Sequence, residues 1–376
     1  MAIYLDCNAS APLEPAVQEL MFRCFSENVG NAGSRTHEFG QQAKRAVQAA
    51  REQVASVVAA NPDEVLFTSG ATESNNIALL GLASHGEEVG RKHIVSTAIE
   101  HKAVLEPLEV LSTRGFEVTL VPPDADGLVP AKAVLMAIRP DTLAVSVMHV
   151  NNETGVIQPL AEIAEGMEGQ LPYLHVDAAQ SFGKVMDELR SPRIDLISAS
   201  SHKVYGPIGV GALIARRRRH RRPPLEPLMR GGGQERGLRP GTLPTPLIAA
   251  FGLAAELAEK DYETRRQQCL TIRRQALAAL EPLEIRLHGN QARVVPHVLN
   301  FSIDGLDSEA AMLSLKGLVA ISNGSACTST SYQPSHVLKA MGLSEGEVQG
   351  AMRFSWCHLT PDINWRTIRD AIAGLQ

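Results

Sequence analysis

The chain has 376 residues, of which 44% are hydrophobic and 20% are charged, and its formal net charge is −5 at pH 7. This composition is that of a globular protein and excludes a disordered or fibrous chain. The length exceeds that of one small domain and favours a large domain with a smaller companion. Because the net charge is negative, the surface as a whole does not indicate a polyanionic partner, and small molecules are the expected ligands.

The N-terminus, MAIYLDCNASAP, lacks a basic segment followed by an apolar one. No apolar run approaches the roughly 18 residues that would span a bilayer. We therefore expect a cytoplasmic protein without a membrane segment.

The cysteines are odd in number, widely spread and never arranged as C-x-x-C. This usage is typical of reduced thiols rather than of a disulfide framework. Zinc-ligand spacing is absent as well, so we expect no metal site. The five residues are Cys7, Cys24, Cys269, Cys327 and Cys357.

Seven short apolar runs between residues 60 and 215 predict β-strands. They alternate with helix-like stretches and lack a strict polar and apolar alternation. This pattern is typical of a mostly parallel sheet that helices cover on both faces. The predicted strands are EVLFTS (64–69), HIVST (93–97), EVTLV (117–121), LAVSVMHV (143–150), YLHVD (173–177), DLISAS (195–200) and GVGALIA (209–215).

Polar motifs stand where several of these strands end. They read SGATESNN, EHKAV, NNETG, DAAQ and SHK. One polar loop is weak evidence because most loops are polar, but ligands of open parallel sheets bind at the carboxyl ends of the strands. The joint placement of the motifs therefore predicts a ligand site at this edge of the sheet.

The rest of the chain begins with an arginine run, RRRRHRRPP (216–224), and a glycine-rich loop, GGGQERGLRPGT (231–242). Because the total charge is negative, we interpret the arginine run as a solvated connection or a contact for an acidic partner, and we expect no direct contact with nucleic acid. Helical patterns then extend from about residue 245 to 280. The last predicted strands, HVLNFSI (297–303), LVAIS (318–322) and AMRFSW (351–356), indicate a second domain.

Lys203 follows a predicted strand in SASSHKVYGPIGVG. A lysine at a strand end can lose its proton when desolvated and then form a Schiff base, whereas the alternative is a solvated loop lysine. Asp177 ends another apolar strand, where an unpaired carboxylate is costly to bury. The pyridinium nitrogen of pyridoxal phosphate would supply the missing cation. Alternatively, Asp177 caps the helix that follows it.

His101 and Thr72 follow two other predicted strands. An imidazole in the position of His101 can stack on a planar ring or carry a proton, although a satisfied core histidine is the commoner fate. Thr72 stands at a strand–turn–helix junction whose N–H groups suit an anion. The motif lacks the lysine of a P-loop and the glycines of a dinucleotide fold, so a phosphate monoester fits better than a nucleotide.

Cys327 lies in SNGSACTSTSYQPS (322–335), among small and hydroxyl side chains. The local sequence is compatible with an incidental cysteine on a surface loop. It is equally compatible with an accessible, reactive thiol.

Nine motifs together resemble the cysteine desulfurases, a family of pyridoxal-phosphate enzymes in the aminotransferase-like superfamily. They come in the family's order and extend from residue 4 to about residue 355. They read YLDCNASAPL, NAGSRTHEFG, FTSGATESNN, EHKAVL, MHVNNETGVIQP, HVDAAQSFGK, SSHKVYGPIGVGAL, GGGQERGLRPGT and SNGSACTSTS.

The resemblance implies an α/β protein of fold type I. Its large domain, residues 16–258, would hold pyridoxal phosphate on a seven-stranded, mostly parallel sheet. Its smaller α+β domain would comprise residues 1–15 and 259–376 and carry the reactive-cysteine loop at about 322–335.

The resemblance also implies roles for individual residues. Lys203 would carry the cofactor as a Schiff base, His101 would stack on its ring, and Asp177 would face the ring nitrogen. Cys327 would be the nucleophile, and Arg353 would bind the substrate carboxylate, a task that suits a planar guanidinium. The other matches are Gln180 at the phenolic oxygen, Asn152 beside substrate and ring, Ala71, Thr72, Ser200 and His202 at the phosphate, and Thr242, which would reach the phosphate from the other protomer of a homodimer.

The implied reaction converts L-cysteine to L-alanine and leaves the sulfur on Cys327 as a persulfide. Lys203 is the candidate base for the α-proton and His101 the candidate proton carrier, while Cys327 attacks as the thiolate. A protein acceptor would then take the sulfur towards iron–sulfur clusters, tRNA thiolation or DNA phosphorothioation. The opening DCNASAPL, in place of DYxATTP, and the short chain after Arg353 favour the DNA-phosphorothioation branch.

Two departures from the family pattern affect rate or subtype rather than the reacting groups. Asn323 stands where serine is more usual, and the strand-end motif reads SSHK where glycine often precedes the histidine. The sequence NGSACTST resembles the longer of the two cysteine loops found in the family.

Other functions use part of this set of residues. A selenocysteine lyase or a small-amino-acid aminotransferase would also use Lys203, Asp177 and His101, but an aminotransferase has no use for Cys327. A non-catalytic scaffold for sulfur-transfer or DNA-modification partners is the alternative from a different class. A thiol protease is discounted because no Cys–His protease signature surrounds Cys327.

Overall fold

The computed structural model describes residues 2–27, 29–323 and 334–375. The strands in these ranges are β1 (Ile3–Tyr4), β2 (Val65–Thr68), β3 (His93–Thr97), β4 (Glu117–Val121), β5 (Thr142–Met148), β6 (Tyr173–Asp177), β7 (Leu196–Ser200), β8 (Gly211–Ala215), β9 (Arg286–Leu287), β10 (Val298–Ser302), β11 (Val319–Ala320) and β12 (Met352–Ser355). The helices are α1 (Pro15–Glu27), α2 (Glu38–Val57), α3 (Ala71–Leu80), α4 (Ala83–Glu88), α5 (Lys102–Thr113), α6 (Ala131–Met136), α7 (Leu160–Gly166), α8 (Thr245–Lys260), α9 (Tyr262–Leu280), α10 (Ser308–Ser314), α11 (His336–Ala340), α12 (Glu345–Gln349) and α13 (Trp365–Ala373).

The largest sheet has seven strands in the order β2-β8-β7-β6-β5-β3-β4. The strands from β7 to β4 pair in parallel, whereas β8 is antiparallel to both of its neighbours. The predicted strands and the mostly parallel sheet are therefore confirmed. Because the parallel strands run in one direction, the loops that follow them meet at one edge of the sheet.

Each face of this sheet is covered by its own hydrophobic core. In β2, Val65 and Phe67 pack into a core that includes residues of α2 and α8, whereas Leu66 between them packs into a core with residues of α3 and α5. Successive side chains of a strand point to opposite faces. Since both faces are covered, the strands need apolar residues at every position, which explains the lack of alternation in the sequence.

A separate core forms around the antiparallel strands β9, β10 and β12. Phe301 of β10 and Phe354 of β12 make an edge-to-face contact with their ring centroids 5.2 Å apart. Trp356 donates its indole N–H to the carbonyl of Cys269 on α9, at 3.1 Å. The N-terminal segment joins this core, because Leu5 packs into it and β1 pairs with β11.

Arg216, the first residue of the arginine run, is buried beside the sheet. Its guanidinium donates hydrogen bonds to the backbone carbonyls of Val58, Leu189, Ser191 and Ile194. These carbonyls lie in loops that would otherwise leave buried acceptors without donors. Arg216 therefore ties loops on one side of the sheet together.

Other arginines of the run form ion pairs within the chain. Arg217 and Arg222 both contact the carboxylate of Asp63, and Arg218 contacts that of Asp195, which is buried. This part of the run therefore makes ion pairs inside the chain, in addition to the solvated connection or acidic-partner contact that the sequence suggested. The sequence did not reveal these pairs because the acidic partners lie far away along the chain.

In the parts of the chain that the structure describes, no helix combines the length and the apolar character needed to cross a membrane.

We predict that Arg216→Met destabilises the protein by about 3 kcal/mol or more, because several buried carbonyls lose their donor. The matched control is Arg219→Met in the same run, at an exposed residue, for which we expect a change within about 0.5 kcal/mol. Urea unfolding of both variants and the wild type measures the difference. Equal stability of the two variants would contradict the structural role of Arg216.

Candidate active site

A cavity of about 480 Å³ lies at the carboxyl edge of the large sheet, where the loops after β2, β3, β5, β6 and β7 meet. The expected convergence of the strand-end motifs thus takes place in one cavity. The predicted site residues that line it are Ala71, Thr72, His101, Asn152, Asp177, Gln180, Ser200, His202, Lys203 and Arg353.

Two predicted residues are not part of this lining. Thr242 is exposed and lies outside it, as a residue meant for another protomer's site would. Cys327 belongs to residues 324–333, which lie outside the described part of the chain.

One end of the cavity suits an anion. Gly70 precedes α3, and Ala71 and Thr72 form the first turn of this ten-residue helix. The first N–H groups of a helix have no partner within the helix, and the helix dipole adds partial positive charge there. Close to Gly70, the hydroxyl of Ser200 and Nδ1 of His202 share a hydrogen bond of 2.9 Å.

His202 is uncharged at neutral pH. Burial and the nearby cations Lys203 and Lys184 lower the pKa of its imidazole to about 4. It therefore offers hydrogen bonds rather than charge, and the positive end of the cavity consists of the helix terminus and Lys203.

Lys203 lies in a single helical turn directly after β7. Its Nζ donates to the backbone carbonyls of Asn8 and Ala9, at 2.5 and 2.7 Å. Nε2 of Gln180 donates to the same Asn8 carbonyl at 3.0 Å. The N-terminal segment thus holds the lysine amine inside the cavity by hydrogen bonds to neutral acceptors.

Asp177 is buried at the end of β6. Its Oδ2 accepts a hydrogen bond from Nδ2 of Asn75 at 2.8 Å, and its Oδ1 accepts one from the N–H of Ala179 at 2.9 Å. The hydrogen bond from Ala179 closes a turn, because turns and not a helix follow β6. Asp177 therefore does not cap a helix. Each carboxylate oxygen has a further lone pair, so Asp177 can still accept a hydrogen bond from a cationic ligand in the cavity.

His101 caps the N-terminus of α5. Its Nδ1 accepts the backbone N–H of Ala103 at 3.0 Å. Because Nδ1 is an acceptor here, the neutral ring carries its proton on Nε2. The helix end therefore fixes both the position and the tautomer of this imidazole.

Arg353 of β12 is almost fully buried, with 1% of its surface exposed. Its Nη2 pairs with Oδ1 of Asp6 at 2.6 Å, and its Nη1 donates to the carbonyl of Asn152 at 2.9 Å. Nε is buried without a partner among the described residues. These two contacts fix the guanidinium plane at the wall of the cavity and use two of its five N–H groups, so others are left for a ligand.

Two buried carboxyl groups flank the site. Oε1 of Glu100 accepts hydrogen bonds from the Thr97 hydroxyl and the Met148 N–H, yet burial raises the pKa of Glu100 to about 8. Burial likewise raises the pKa of Glu153 to about 7, against the opposing effect of a hydrogen bond from Ser335. Glu100 is thus mainly protonated at neutral pH, which limits its repulsion of Asp177.

The residues present fit pyridoxal phosphate. The cofactor has a phosphate for the start of α3, a ring nitrogen for Asp177 and a carbonyl carbon for Lys203. Buried polar atoms along the cavity wall are also left without partners inside the described chain: Asn8 Oδ1, Asn75 Oδ1 and Gln180 Oε1. Buried polar atoms are normally hydrogen-bonded, so these atoms indicate a polar ligand.

Sequence reasoning missed two residues that support the site. Asn8 supplies the carbonyl that Lys203 and Gln180 share, and its Nδ2 donates to the carbonyl of Asn152 at 3.0 Å. Asn75 donates to Asp177. Both lie in motifs that carry the resemblance, DCNASAPL and SGATESNN, and this was the available signal.

Comparison with known proteins agrees with the site chemistry. The family model "Aminotransferase class-V" matches residues 3–362, which is nearly the whole chain. The chain therefore belongs to the class-V aminotransferase family, and its cofactor is pyridoxal phosphate.

Individual relatives indicate which enzyme of the class-V aminotransferase family the chain resembles. Cysteine desulfurase IscS of Vibrio vulnificus strain YJ016 is 44% identical over 383 residues, which cover 100% of this chain and 94% of that protein. The crystal structure of DndA from Streptomyces lividans is 51% identical with a TM-score of 0.83, covering 92% of this chain and 97% of its own. A structure of SspA in complex with cysteine is 38% identical with a TM-score of 0.82, covering 96% and 100%. Within its family, the protein is a cysteine desulfurase.

We predict that Glu100→Gln reduces the loss of folding stability that the protein undergoes as the pH rises. The unfolded chain releases this proton from its ordinary pKa of 4.5, whereas the folded chain keeps it up to a pKa of about 8. Wild-type stability attributable to Glu100 therefore falls as the pH rises through this interval. Glutamine keeps the acceptor oxygen and cannot ionise. The free energy of unfolding of the variant should therefore rise, relative to that of the wild type, by on the order of 3 kcal/mol between about pH 5 and pH 8.

Urea unfolding of both proteins across this pH range measures the effect. Glu106→Gln, at an exposed position of α5, is the matched control and should follow the wild type. A parallel pH dependence of Glu100→Gln and wild type would contradict a protonated Glu100.

Proposed function

We propose that this cysteine desulfurase converts L-cysteine to L-alanine in the cavity around Lys203 and transfers the sulfur to Cys327 as a persulfide. The observation that carries the proposal is the convergence of Lys203, Asp177, His101 and Arg353 in one cavity, beside the first turn of α3. This set combines an amine, a buried carboxylate, an imidazole and a guanidinium. The role of Cys327 rests on the resemblance of its motif.

In this proposal each cofactor group has a partner. Lys203 would bind the carbonyl carbon, Asp177 the ring nitrogen and Gln180 the phenolic oxygen, while His101 would lie against the ring. When bound, the cofactor acts as an electron sink for charge that develops at the substrate α-carbon. Ala71, Thr72, Ser200 and His202 would hold its phosphate, and Thr242 would reach the phosphate from the other protomer.

Arg353 orients the substrate. The contacts with Asp6 and Asn152 use one N–H each of Nη2 and Nη1, and the guanidinium can donate its other N–H groups to the substrate carboxylate without breaking them. Asn152, whose carbonyl accepts from Arg353, adds a side chain beside the same position. The substrate is thus bound at its carboxylate end, which leaves its thiol directed away from the guanidinium.

Two side chains move protons. The amine of Lys203 would take the α-proton of the substrate. His101 holds a proton on Nε2 because Nδ1 accepts from Ala103, and this proton can be exchanged with the substrate thiol.

The sulfur transfer balances without an added oxidant. The Cys327 thiolate attacks the substrate sulfur, the S–S bond forms and the bond between Cβ and sulfur breaks. The two sulfur atoms are oxidised while Cβ, which gains a proton, is reduced to the methyl group of alanine. Cysteine and an enzyme thiol therefore give alanine and an enzyme persulfide.

The sulfur acceptor that we propose belongs to DNA phosphorothioation. The opening motif DCNASAPL supports this branch, and the protein would share the role with DndA, to which its identity of 51% exceeds the 44% to IscS. Iron–sulfur cluster assembly is the alternative. Since several arginines of the 216–222 run are used within the chain, the acceptor protein rather than this enzyme would contact DNA.

We propose a homodimer as the active form. Large apolar side chains are exposed on and near the first two helices, where Phe22, Phe25 and Phe39 are each more than half exposed. Phe22 and Phe25 are three positions apart on α1 and so lie on one face of this helix, and an exposed apolar patch of this kind is typical of a protein interface. Exposed Thr242 is then available to the other protomer's cofactor site.

We predict that Cys327→Ser keeps the bound cofactor and its yellow colour but loses alanine formation from L-cysteine by a factor of about 100 or more, because a hydroxyl cannot accept sulfur. The absorbance spectrum and an alanine assay measure the two properties. Ser325→Ala, two residues away, is the matched control and should keep turnover. Full turnover by Cys327→Ser would refute persulfide formation on this residue.

The pathway is tested in bacteria that lack their own desulfurase for DNA phosphorothioation. Expression of the wild-type protein should restore phosphorothioate linkages, measured by mass spectrometry of digested DNA, and Cys327→Ser should not. Restored iron–sulfur enzyme activity without phosphorothioate linkages would contradict the proposed acceptor while leaving the desulfurase reaction intact.

A further inference from the structure

A second, much smaller cavity lies behind the Lys203 turn, outside the lining of the cofactor cavity. It has about 30 Å³ of water-accessible space. Its walls come from the turns after β6, from α9 and from the segment that precedes β10. They include Lys184, Tyr205, Arg265, Cys269 and His297, none of which lines the larger cavity.

Two cations of this small cavity lie near one tyrosine ring. Nζ of Lys184 is 5.5 Å and the guanidinium carbon of Arg265 is 5.3 Å from the centroid of Tyr205. Arg265 pairs with Glu14 at 3.0 Å. Lys184, by contrast, has no carboxylate within ion-pair distance anywhere in residues 2–27, 29–323 and 334–375. A cation without a carboxylate partner is costly to bury, and burial lowers the pKa of Lys184, so an anion beside this lysine would stabilise its charged form.

Two further polar atoms of the cavity residues lack a partner. Nη1 of Arg265 and Nε2 of His297 are buried and make no hydrogen bond with the described chain. Both side chains are more than nine-tenths buried, with relative exposures of 8% and 5%. Burial and the charges of Lys184 and Arg273 hold the pKa of His297 well below its usual value, so its neutral ring can present an N–H at Nε2.

The thiols near Lys184 do not satisfy these donors. Cys269, the cysteine of the lining, is uncharged because burial raises its pKa to about 12. Cys7 and Cys357 lie outside the lining and share a hydrogen bond, which lowers the pKa of Cys357 to about 7, so negative charge on this pair is already hydrogen-bonded within it. The cavity therefore combines a lysine cation with two unsatisfied nitrogen donors and contains no competing carboxylate in its lining.

We propose that this cavity is a binding site for one halide-sized monovalent anion, such as chloride, held by Lys184, Nη1 of Arg265 and Nε2 of His297. The space is sufficient for a particle of about one or two water molecules and is too small for a sulfate or a phosphate ester. The anion connects α9 to the segment around Lys184 and to Tyr205, two residues after Lys203. Its binding stabilises the folded protein by mass action.

Anomalous diffraction from crystals of the holoenzyme soaked in sodium bromide tests the site directly. We expect one bromide peak within hydrogen-bond distance of the Lys184 and Arg265 nitrogens. A water molecule in this position, with no anomalous signal, would overturn the proposal. This measurement needs no variant and does not depend on catalytic activity.

Thermal unfolding of the holoenzyme in sodium chloride and in sodium gluconate, at equal ionic strength, provides a second test. We expect the wild type to unfold roughly 2 °C or more higher in chloride, and Lys184→Met to lose most of this difference. Lys132→Met, at an exposed position of α6, is the matched control and should keep it. An equal chloride effect in all three proteins would contradict a site at Lys184.

Discussion

The active site depends on the burial of one carboxylate, that of Asp177, at the end of β6. A buried carboxylate is tolerated only when hydrogen bonds and a cation compensate for its lost hydration. The amide of Asn75 and the N–H of Ala179 supply the hydrogen bonds. Since Asn75 belongs to α3, the same contact fixes the helix whose first turn suits a phosphate. In the proposed site, the ring nitrogen of pyridoxal phosphate would supply the cation, so cofactor binding would complete the compensation.

The N-terminal segment connects Lys203 to Arg353 across the cavity lining. Its hydrogen bonds reach Lys203 through the carbonyls of Asn8 and Ala9, and reach Arg353 through the carboxylate of Asp6. The segment pairs in turn with strands of the second core, where β1 contacts β11. Lys203 and Arg353, which are far apart in the sequence, are thus both hydrogen-bonded to residues 6–9. These contacts fix the position of the lysine amine relative to the guanidinium.

Much of the fold could be predicted because the strands are indicated by short, contiguous runs of apolar residues. Apolar residues at every position of Tyr173–Asp177 indicate a strand covered on both faces, and the polar motif after it marks the carboxyl edge. Lys203 and Asp177 could be identified for the same reason. Asn8 could not, since its contacts with Gln180 and Lys203 join residues more than 170 positions apart.

The arginine run marks another limit of sequence reasoning. Composition alone cannot distinguish Arg216, whose hydrogen bonds tie loops together, from the exposed Arg219 three positions later. The difference arises from the fold, in which Arg216 lies among buried carbonyls and Arg219 is exposed to solvent. The role of each residue in a run of charges therefore follows from its contacts in the fold and not from the run itself.

The location of the sulfur tests the central claim most directly. The wild-type holoenzyme is incubated with L-cysteine, its thiols and persulfides are alkylated, and each of its five cysteine residues is examined by peptide mass spectrometry. The proposed mechanism predicts the mass of one additional sulfur atom on Cys327, in proportion to the alanine formed in the first turnover. Additional sulfur on a different cysteine, or alanine without any persulfide, would contradict it.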